Sequence, residues 1–478
     1  MRPLGVGLVY FSEFDPLFQE GNPDLAVLEL EPETFWEKIQ PPDAAGNELY
    51  LPNAEVMTHI RALPQHKLIH SVGFPVGGSV CCGGDFITPL RESVTALGAP
   101  WVSEHLSFNA ISTSNGIEQV GFLLPPRQTS AGVLVAVQNI QRLASQLPVP
   151  FAFETGTNYL QPLADELPDG EFFGAIAERA NSGVLLDLHN LWVNERNGRQ
   201  PVLKVIDALP LDRICEIHFA GGMMLGDYYL DSHSGAIPSR LLDIAAGIIP
   251  RLPNLGALIF EVLPGYVEQL GLDSVRQQLE LLNELWKTRL TETVHVSRRQ
   301  AALADSSDGR IDVVEWERIL GTIAVGHLPS QADVRHLDLN GDAGVKILQT
   351  LIGEARNSRI SRALRFTTTL LLLHLGSVET NKLLCCYHAA SFPDAFATAE
   401  ADRFAEYLHT RISLLPSIPF LTEVLDFEHA LIRAALYGAK SRIEWDIDPS
   451  DLFGALETGR IPFPKRTNRF AMDIVPEN

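Results

Sequence analysis

The sequence contains no stretch approaching the roughly 18 uninterrupted apolar residues that a membrane-spanning helix needs. Its richest run, Leu370–Leu373, is four leucines behind Arg365 and three threonines. The opening residues Met1-Arg2-Pro3-Leu4-Gly5 lack the apolar segment and cleavage site of a secretory signal. A cytoplasmic protein with no membrane attachment is therefore expected. Cysteine is scarce: Cys81-Cys82, Cys215 and Cys385-Cys386 make an odd total in adjacent pairs, a poor disulfide framework. None has C-x-x-C spacing, which argues against a thiolate zinc site. Basic charge is also in deficit, with 37 Lys and Arg against 59 Asp and Glu and a net charge of −22. That balance argues against a nucleic-acid binder, which carries a basic face. It suits a basic peptide or a metal cation. Gly5-Val6-Gly7 has no third glycine three residues on, so a dinucleotide-binding loop is not indicated.

What the sequence does have is repetition. Eight short apolar runs follow one another between residues 4 and about 288: Leu4–Tyr10, Ala26–Leu30, Lys67–Val72, Trp101–Leu106, Pro150–Glu154, Gly183–Leu188, Arg213–Phe219 and Ala257–Glu261. Each is bounded by Gly, Pro or polar residues, and several are almost continuously apolar, the pattern of a strand buried on both faces. Helical patterns lie between them, among them Phe86–Leu97, Val133–Leu147, Phe172–Ala180, Arg240–Ile249 and Val267–Trp286. Eight such units predict a (β/α)8 TIM barrel over residues 1–288. Residues 289–478 carry mostly helical patterns (Val313–Ile323, Val345–Ala355, Arg362–Leu375, Ala397–Leu408 and Phe420–Ala435) and predict a mainly α-helical C-terminal domain. The boundary is expected in the polar stretch Glu292–Ser306.

A TIM barrel carries its chemistry where its strands end and in the loops that follow. The polar residues there are His70 on strand three, Glu104-His105 on strand four, Glu154 on strand five, and Asp187, His189 and Asn190 on strand six. Glu216 and His218 on strand seven, Asp231-Ser232-His233 in the loop after it, and Glu261 on strand eight complete the set. Each alone has an ordinary explanation. His70 or His105 reads as a satisfied core histidine, Asp187 as a helix cap, Asp231-Ser232-His233 as a turn, and Glu104 and Glu216 as salt-bridged or supporting groups. The joint pattern is different. Buried carboxylates at a barrel mouth need a partner or a metal, and neutral imidazoles beside carboxylates suit iron, zinc or manganese. Even with Glu104, His189 and Glu216 set aside, the nine that remain exceed the demand of one ion and fit two or three. Ser103, Ser107, Thr155 and Ser232 stand where they can hydrogen-bond ligands from behind or serve as turn and cap residues.

Five segments, in chain order, carry a family resemblance: Leu68-Ile69-His70-Ser71-Val72-Gly73, Val102-Ser103-Glu104-His105-Leu106, Leu185–Val193 with Asp187-Leu188-His189-Asn190, Glu216-Ile217-His218-Phe219-Ala220-Gly221, and Asp231-Ser232-His233. Together they resemble the multinuclear non-haem iron-dependent oxidative enzymes, the family that includes the oxidase of methanobactin biosynthesis. The resemblance covers residues 4–288. It implies a TIM barrel with two or three irons, Fe(II) or Fe(III), that uses O2 to modify a ribosomally made precursor peptide, often at cysteine, with a partner protein presenting the peptide. It further implies that His70, His105 and Glu154 hold one iron. Glu154 would bridge to a second held by Asp187, His218 and Glu261, and Asn190, Asp231 and His233 would hold a third. The chain departs from the pattern at four places: Thr155 stands for the usual Asn after the strand-five Glu, His189-Asn190 for Asn-Asn, Gly222 for a His after Ala-Gly, and Val262-Leu263 for Arg-Asp. These changes imply an altered substrate pocket. His189 either adds a ligand or displaces Asn190.

Glu31, after strand two, is a candidate base or substrate contact, or else part of a peripheral salt bridge. Two competing functions use the same barrel chemistry: a metal-dependent hydrolase or isomerase (endonuclease IV-like or xylose isomerase-like), and a non-catalytic metal-binding scaffold. In the second domain, Ser306–Glu315 and Asp338–Asp342 have fragments of calcium-loop spacing but read better as turns or a degenerate pair. Pro419–Glu428 is weakly similar to a helix of the family's partner proteins, so the domain is either a fused partner or an unrelated helical appendage. Cys385-Cys386 is expected in the core.

Overall fold

A computed structural model describes residues 2–19, 24–39, 49–80, 86–290, 312–327, 339, 341–394, 396–462 and 466–476. Eight strands, β1 (Gly5–Val9), β2 (Val27–Leu30), β3 (His66–Ser71), β4 (Val102–His105), β5 (Phe151–Glu154), β6 (Gly183–Asp187), β7 (Ile214–Ala220) and β8 (Ala257–Glu261), form a closed barrel. All neighbours are parallel, and β1 closes on β8 through Gly5↔Ala257 to Leu8↔Phe260. Each expected strand is present to within one residue at either end. The near-continuous apolar runs are buried on both faces, one against the barrel interior and one against the surrounding helices. The expected helix Val267–Trp286 is instead two, Pro264–Leu270 and Leu272–Trp286, separated by Gly271 at φ +80°.

Three hairpins emerge from the C-terminal ends of strands: Trp36–Ile39 with Leu49–Pro52 after β2, Phe108–Thr113 with Gly116–Leu124 after β4, and Met223–Leu225 with Tyr228–Leu230 after β7. Sequence periodicity does not single them out because they are short and partly exposed. The second of them meets the helices Val313–Ala324 and Ala343–Ala363. Phe108, Ile111, Val120 and Leu124 share a core with Trp316, Ile319, Leu320, Val345 and Leu348, together with Tyr159, Leu160, Tyr229 and Leu230 from the barrel loops. The first part of the C-terminal region thus caps the barrel mouth. The helices from Ile360 onward, with the hairpin Ser441–Ile447/Arg466–Ile474, build a separate core around Leu370, Phe404, Leu425 and Trp445. The expected boundary stretch Glu292–Ser306 lies outside the described residues.

Other expectations for this region resolve locally. Of the calcium-like stretches, 306–311, Asp338 and Asn340 lie outside the described residues. Asp342 caps the helix Ala343–Ala363, one carboxylate oxygen accepting from Gly344 N and the other from Gln161 N of the barrel. Gly344 itself sits flush on the barrel: a Cβ there would fall 2.1 Å from the Tyr159 carbonyl oxygen. Cys385 and Cys386 are exposed, contrary to expectation, because Leu384 and Tyr387 take the buried face of their helix. Cys81 and Cys82 lie outside the described residues. Among the described residues no helix is long and apolar enough to cross a membrane.

A single carboxylate ties the cap to the loop after β3. Glu317, 1% exposed, accepts from the Ser79 amide at 2.9 and 3.0 Å and from the Ser79 hydroxyl. Burial, opposed by these donors, raises its pKa to about 7. The folded chain therefore holds this proton more tightly than the unfolded one, so the residue's contribution to stability falls as pH rises from 4.5 to about 7. At about 1.4 kcal/mol per pKa unit the change is on the order of 3 kcal/mol. Glu317→Gln, which cannot ionise, is expected to gain stability relative to the native chain by that order between pH 4.5 and 7.5. Urea unfolding of both at several pH values checks this, and parallel pH profiles refute it.

Candidate metal centre

The register of the barrel brings the strand-end residues level. His105 pairs with Glu154, and Asp187 with His218, while Ala220 stands beside Glu261. All nine expected ligand positions gather at the C-terminal mouth. His105 Nδ1 lies 2.6 Å and His70 Nε2 3.3 Å from Glu154 Oε2, with 3.1 Å between the two histidine Nε2 atoms. Ser103 Oγ, 2.9 Å from His70 Nδ1, fixes that ring with Nε2 toward the cluster. Glu154 also converges with Asp187 and His218, and Asp187 with His233 and Glu261. In each group the donor atoms lie within 4.8 Å of one another. His218 Nδ1 is 3.2 Å from Glu261 Oε1. Asp187 does two jobs. One oxygen caps the helix Leu188–Arg196 by accepting from Asn190 N at 2.7 Å, and the other is buried without a hydrogen-bond partner.

At the outer edge Asp231 Oδ1 lies 2.9 Å from both His189 Nδ1 and His233 Nε2. His233 adopts φ +44°, a left-handed conformation that costs a non-glycine residue on the order of 1–3 kcal/mol and is typical of functional positions. Asn190 faces inward, its Nδ2 donating to Glu154 Oε1 at 2.9 Å and to the Thr155 carbonyl at 3.3 Å. Thr155 Oγ1, where the family pattern has Asn, accepts from the Asp187 amide at 3.0 Å.

The sequence reading missed Glu29. It interrupts the apolar strand β2, is fully buried, and places Oε2 2.8 Å from His218 Nε2. A charge inside an otherwise apolar run was the available signal. Glu29 holds His218 from behind and leaves Nδ1 facing Glu261 and the cluster, the carboxylate–histidine arrangement that orients metal ligands. Glu29→Gln is expected to weaken metal binding about 10–100-fold while leaving every direct donor in place. A competitive-chelator titration measures this, and unchanged affinity refutes it. Glu216 lies behind it and accepts from Trp101 Nε1 at 2.9 Å. Glu104 accepts from the amides of Phe74 and His105, and Glu33 from Gly73 N and the Ser71 hydroxyl. Glu104 and Glu33 thus brace backbone amides, while Glu29, Glu216 and His218 also bring three donor atoms within 4.8 Å of one another.

The electrostatics are those of crowded charge with little water. Burial disfavours charge on His70, but the Glu154 hydrogen bond and charge outweigh it and raise its pKa to about 10. His218 and His233 are raised in the same way by Glu261 with Glu29 and by Asp231 with Glu261. Burial pushes Glu154, Asp231 and Glu261 up, yet their histidine neighbours hold all three below the usual carboxylate range. Asp187 goes the other way, raised by burial and by Glu154, Glu261 and Asp231. Glu104 and Glu216 are also raised, first by burial. Glu31 is partly exposed. Burial and the Glu261 and Glu33 charges, against His70 and His233, bring its carboxyl to about 7.

Glu154 Oε2, Asp187 Oδ2, Asn190 Oδ1, His218 Nδ1 and His233 Nε2 are buried without aligned hydrogen bonds, although nitrogens and oxygens lie close together. Lone pairs that converge in this way suit cations, and a set of imidazoles and carboxylates fits Fe, Zn or Mn. Several His, Asp and Glu groups of the mouth could therefore hold metal ions.

A UPF0276 protein of Streptomyces avermitilis is 28% identical over 289 residues, 57% of this chain and 59% of that one. Others from Anaeromyxobacter sp. (28% over 192 residues, 40% and 66%) and Chromobacterium violaceum (30% over 191 residues, 40% and 68%) are similar. The chain thus spans about three fifths of the Streptomyces protein's length. Among solved structures, a D-psicose 3-epimerase in the presence of D-fructose matches at a TM-score of 0.37 and 13% identity, covering 59% of this chain and 97% of that one. The D-psicose 3-epimerase of Clostridium cellulolyticum matches at 0.38 and 12%, covering 60% and 100%. The family model of the RiPP precursor modification enzymes MbnB/TglH/ChrH matches residues 5–262, which take in all eight strands and every residue of the cluster, and this chain belongs to that family.

Proposed function

We propose that the chain is an iron- and O2-dependent oxidase that modifies a ribosomally synthesised precursor peptide, at cysteine. The convergence of buried imidazoles and carboxylates at the mouth of a barrel of this family carries the proposal. His70, His105 and Glu154 would hold one ion, with Glu154 shared with a second at Asp187, His218 and Glu261. Asp231 and His233 would belong to a third, to which the resemblance adds Asn190. When bound, iron supplies a Lewis acid that favours a thiolate over a thiol and a redox centre that passes electrons to O2.

The chain's own residues prepare that chemistry. Ser103 and Glu29 fix the rings of His70 and His218 before any ion arrives. Glu31, after β2, would serve as a base or a substrate contact. Leu263, 41% exposed where the family pattern has a charge, makes this part of the rim apolar. Peptide presentation falls to the helical region. A cleft of about 470 Å3 opens between Trp36 and Tyr50 of the first hairpin and Phe396 and Tyr437 of the helices, with Asp394 and Arg403 beside them. Aromatic walls with a few charges suit a peptide segment. The helix Leu421–Tyr437, which contains most of the partner-like segment, buries Leu421, Val424 and Leu425 in the region's own core and so serves as its scaffold.

The test is metal content on protein purified without oxygen, followed by O2 uptake with a cysteine-bearing peptide encoded beside the gene. Two or three irons per chain and peptide-dependent O2 uptake are expected. Stoichiometric zinc without uptake of ferrous iron would replace the oxidase with a hydrolase. A folded chain that binds no metal would overturn the reading.

A further inference from the structure

We infer that His189 is a ligand of the outermost metal position, which is therefore built from two imidazoles and one carboxylate: His189, Asp231 and His233. The inference rests on the reading that the mouth holds metal ions, and it concerns a residue at which this chain departs from its family's pattern.

The first turn of the helix Leu188–Arg196 sends two neighbouring side chains in different directions. Its cap, Asp187, fixes the turn through Asn190 N. Asn190 then reaches inward, its Nδ2 donating to Glu154 and to the Thr155 carbonyl and its Oδ1 left without a partner on that inner side. His189 reaches outward and places Nδ1 2.9 Å from Asp231 Oδ1. His233 Nε2 approaches the same oxygen at 2.9 Å from the other side. Two nitrogens and a carboxylate thus meet at one point, with all three donor atoms within 4.8 Å of one another.

The neighbourhood is shaped for the His189 ring. A Cβ on Gly222 would fall 2.9 Å from His189 Nε2 and 2.3 Å from the Leu230 carbonyl oxygen, so the ring fits only beside a residue without a side chain. Gly222 is also the position where the resemblance leads one to expect histidine. The imidazole at this corner of the mouth is thus supplied by the turn after β6 instead of the loop after β7. Tyr229 accepts from Gly222 N at 3.0 Å, and Tyr159 accepts from Asp231 N at 3.0 Å, so both walls are fixed. His189 is fully buried, its Nδ1 turned to Asp231 and its Nε2 resting on the Gly222 side without a hydrogen-bond partner, so Nδ1 is the nitrogen that would meet the ion.

Two imidazoles and one carboxylate leave several coordination positions open and suit Fe(II). This position has two partly exposed residues, against one, His105 at 20%, at the position of His70, His105 and Glu154. The side chains of Asp231 and His233 are 17% and 22% exposed, whereas those of His218 and Asp187 are fully buried. Its ion should exchange first.

The test uses the full chain loaded anaerobically with ferrous iron and then challenged with a chelator. The native chain is expected to release one iron fast and the remainder slowly. His189→Leu should bind one iron fewer, lack the fast phase, and keep the slow phase unchanged. His189→Asn, which restores the family's amide and is the milder change, should speed the fast phase at least ~10-fold. Asn190→Ala should retain the fast phase. A His189→Leu chain with the native iron count overturns the inference, as does a fast phase lost in Asn190→Ala but kept in His189→Leu. A native chain with only slow irons, all kept in His189→Leu, overturns it while leaving the oxidase reading intact. A native chain that binds no iron overturns both.

Discussion

Glu154→Gln is expected to leave the barrel mouth able to hold only its outermost ion. Glutamine keeps the volume, so the loss is electronic and not steric. One Glu154 oxygen faces His105 and His70, and the other accepts from Asn190. Whichever way the amide turns, its NH2 meets a group that needs an acceptor: toward Asn190 it faces another NH2, and toward the histidines it occupies the side where an ion must sit. The negative charge that two ions would share is gone as well. Loss of a residue that merely steadies a ligand costs about 10–100-fold in metal affinity, and loss of a shared ligand should exceed that at both inner positions. Iron per chain should fall by about two, with the far-ultraviolet circular dichroism unchanged. Glu178→Gln, a change away from the mouth, serves as the control. A Glu154→Gln chain that still holds its full iron would show that the inner ligands are grouped wrongly.

That prediction rests on residues visible in the sequence, and the reason is geometric. In a barrel, strand ends fall at equivalent positions, so a list of polar strand-end residues is already a list of neighbours. His70, His105, Glu154, Asp187, His218 and Glu261 were therefore legible once the eight runs were counted. The turn Asp231-Ser232-His233 was legible as the polar loop after the seventh run, but its assignment to a third ion came only through the resemblance. Glu29 was not legible, because it lies one layer deeper, and a single charge in a four-residue strand looks like noise until its partner His218 is placed. Direction was hidden too. Sequence puts His189 and Asn190 side by side, and only the capped turn shows that one faces Asp231 and the other Glu154. The C-terminal helices were legible as helices but not as a cap. Their contact with the mouth runs through a hairpin without clear periodicity and through Gly344, whose missing side chain matters only against Tyr159.

Removing the metal should lower the melting temperature by roughly 15–30 °C. The argument begins with charge. Glu29, Glu154, Asp187, Asp231 and Glu261 crowd one mouth with five imidazoles, and burial with the acidic neighbours raises the pKa of Asp187. Such a cluster is costly to fold around unless cations or protons compensate. An ion that binds only the folded chain at 1,000 times its Kd contributes about 4 kcal/mol. Two ions therefore supply on the order of 8 kcal/mol, comparable with the whole stability of a typical domain, about 5–15 kcal/mol. For a unit of 150–250 residues each kcal/mol shifts the midpoint by about 2–4 °C. The effect should also be regional. The capping helices share a core with Tyr159, Tyr229 and Leu230 at the mouth and should loosen with it. The core around Leu370, Phe404 and Trp445 contains no residue of the mouth and should keep its own transition. Calorimetry with and without chelator should then show one transition that moves and one that stays. Two transitions that move together would mean that the C-terminal core is coupled to the mouth through the cap. No movement at all would mean that the buried carboxylates are satisfied by protons alone, and that the mouth is not a metal site.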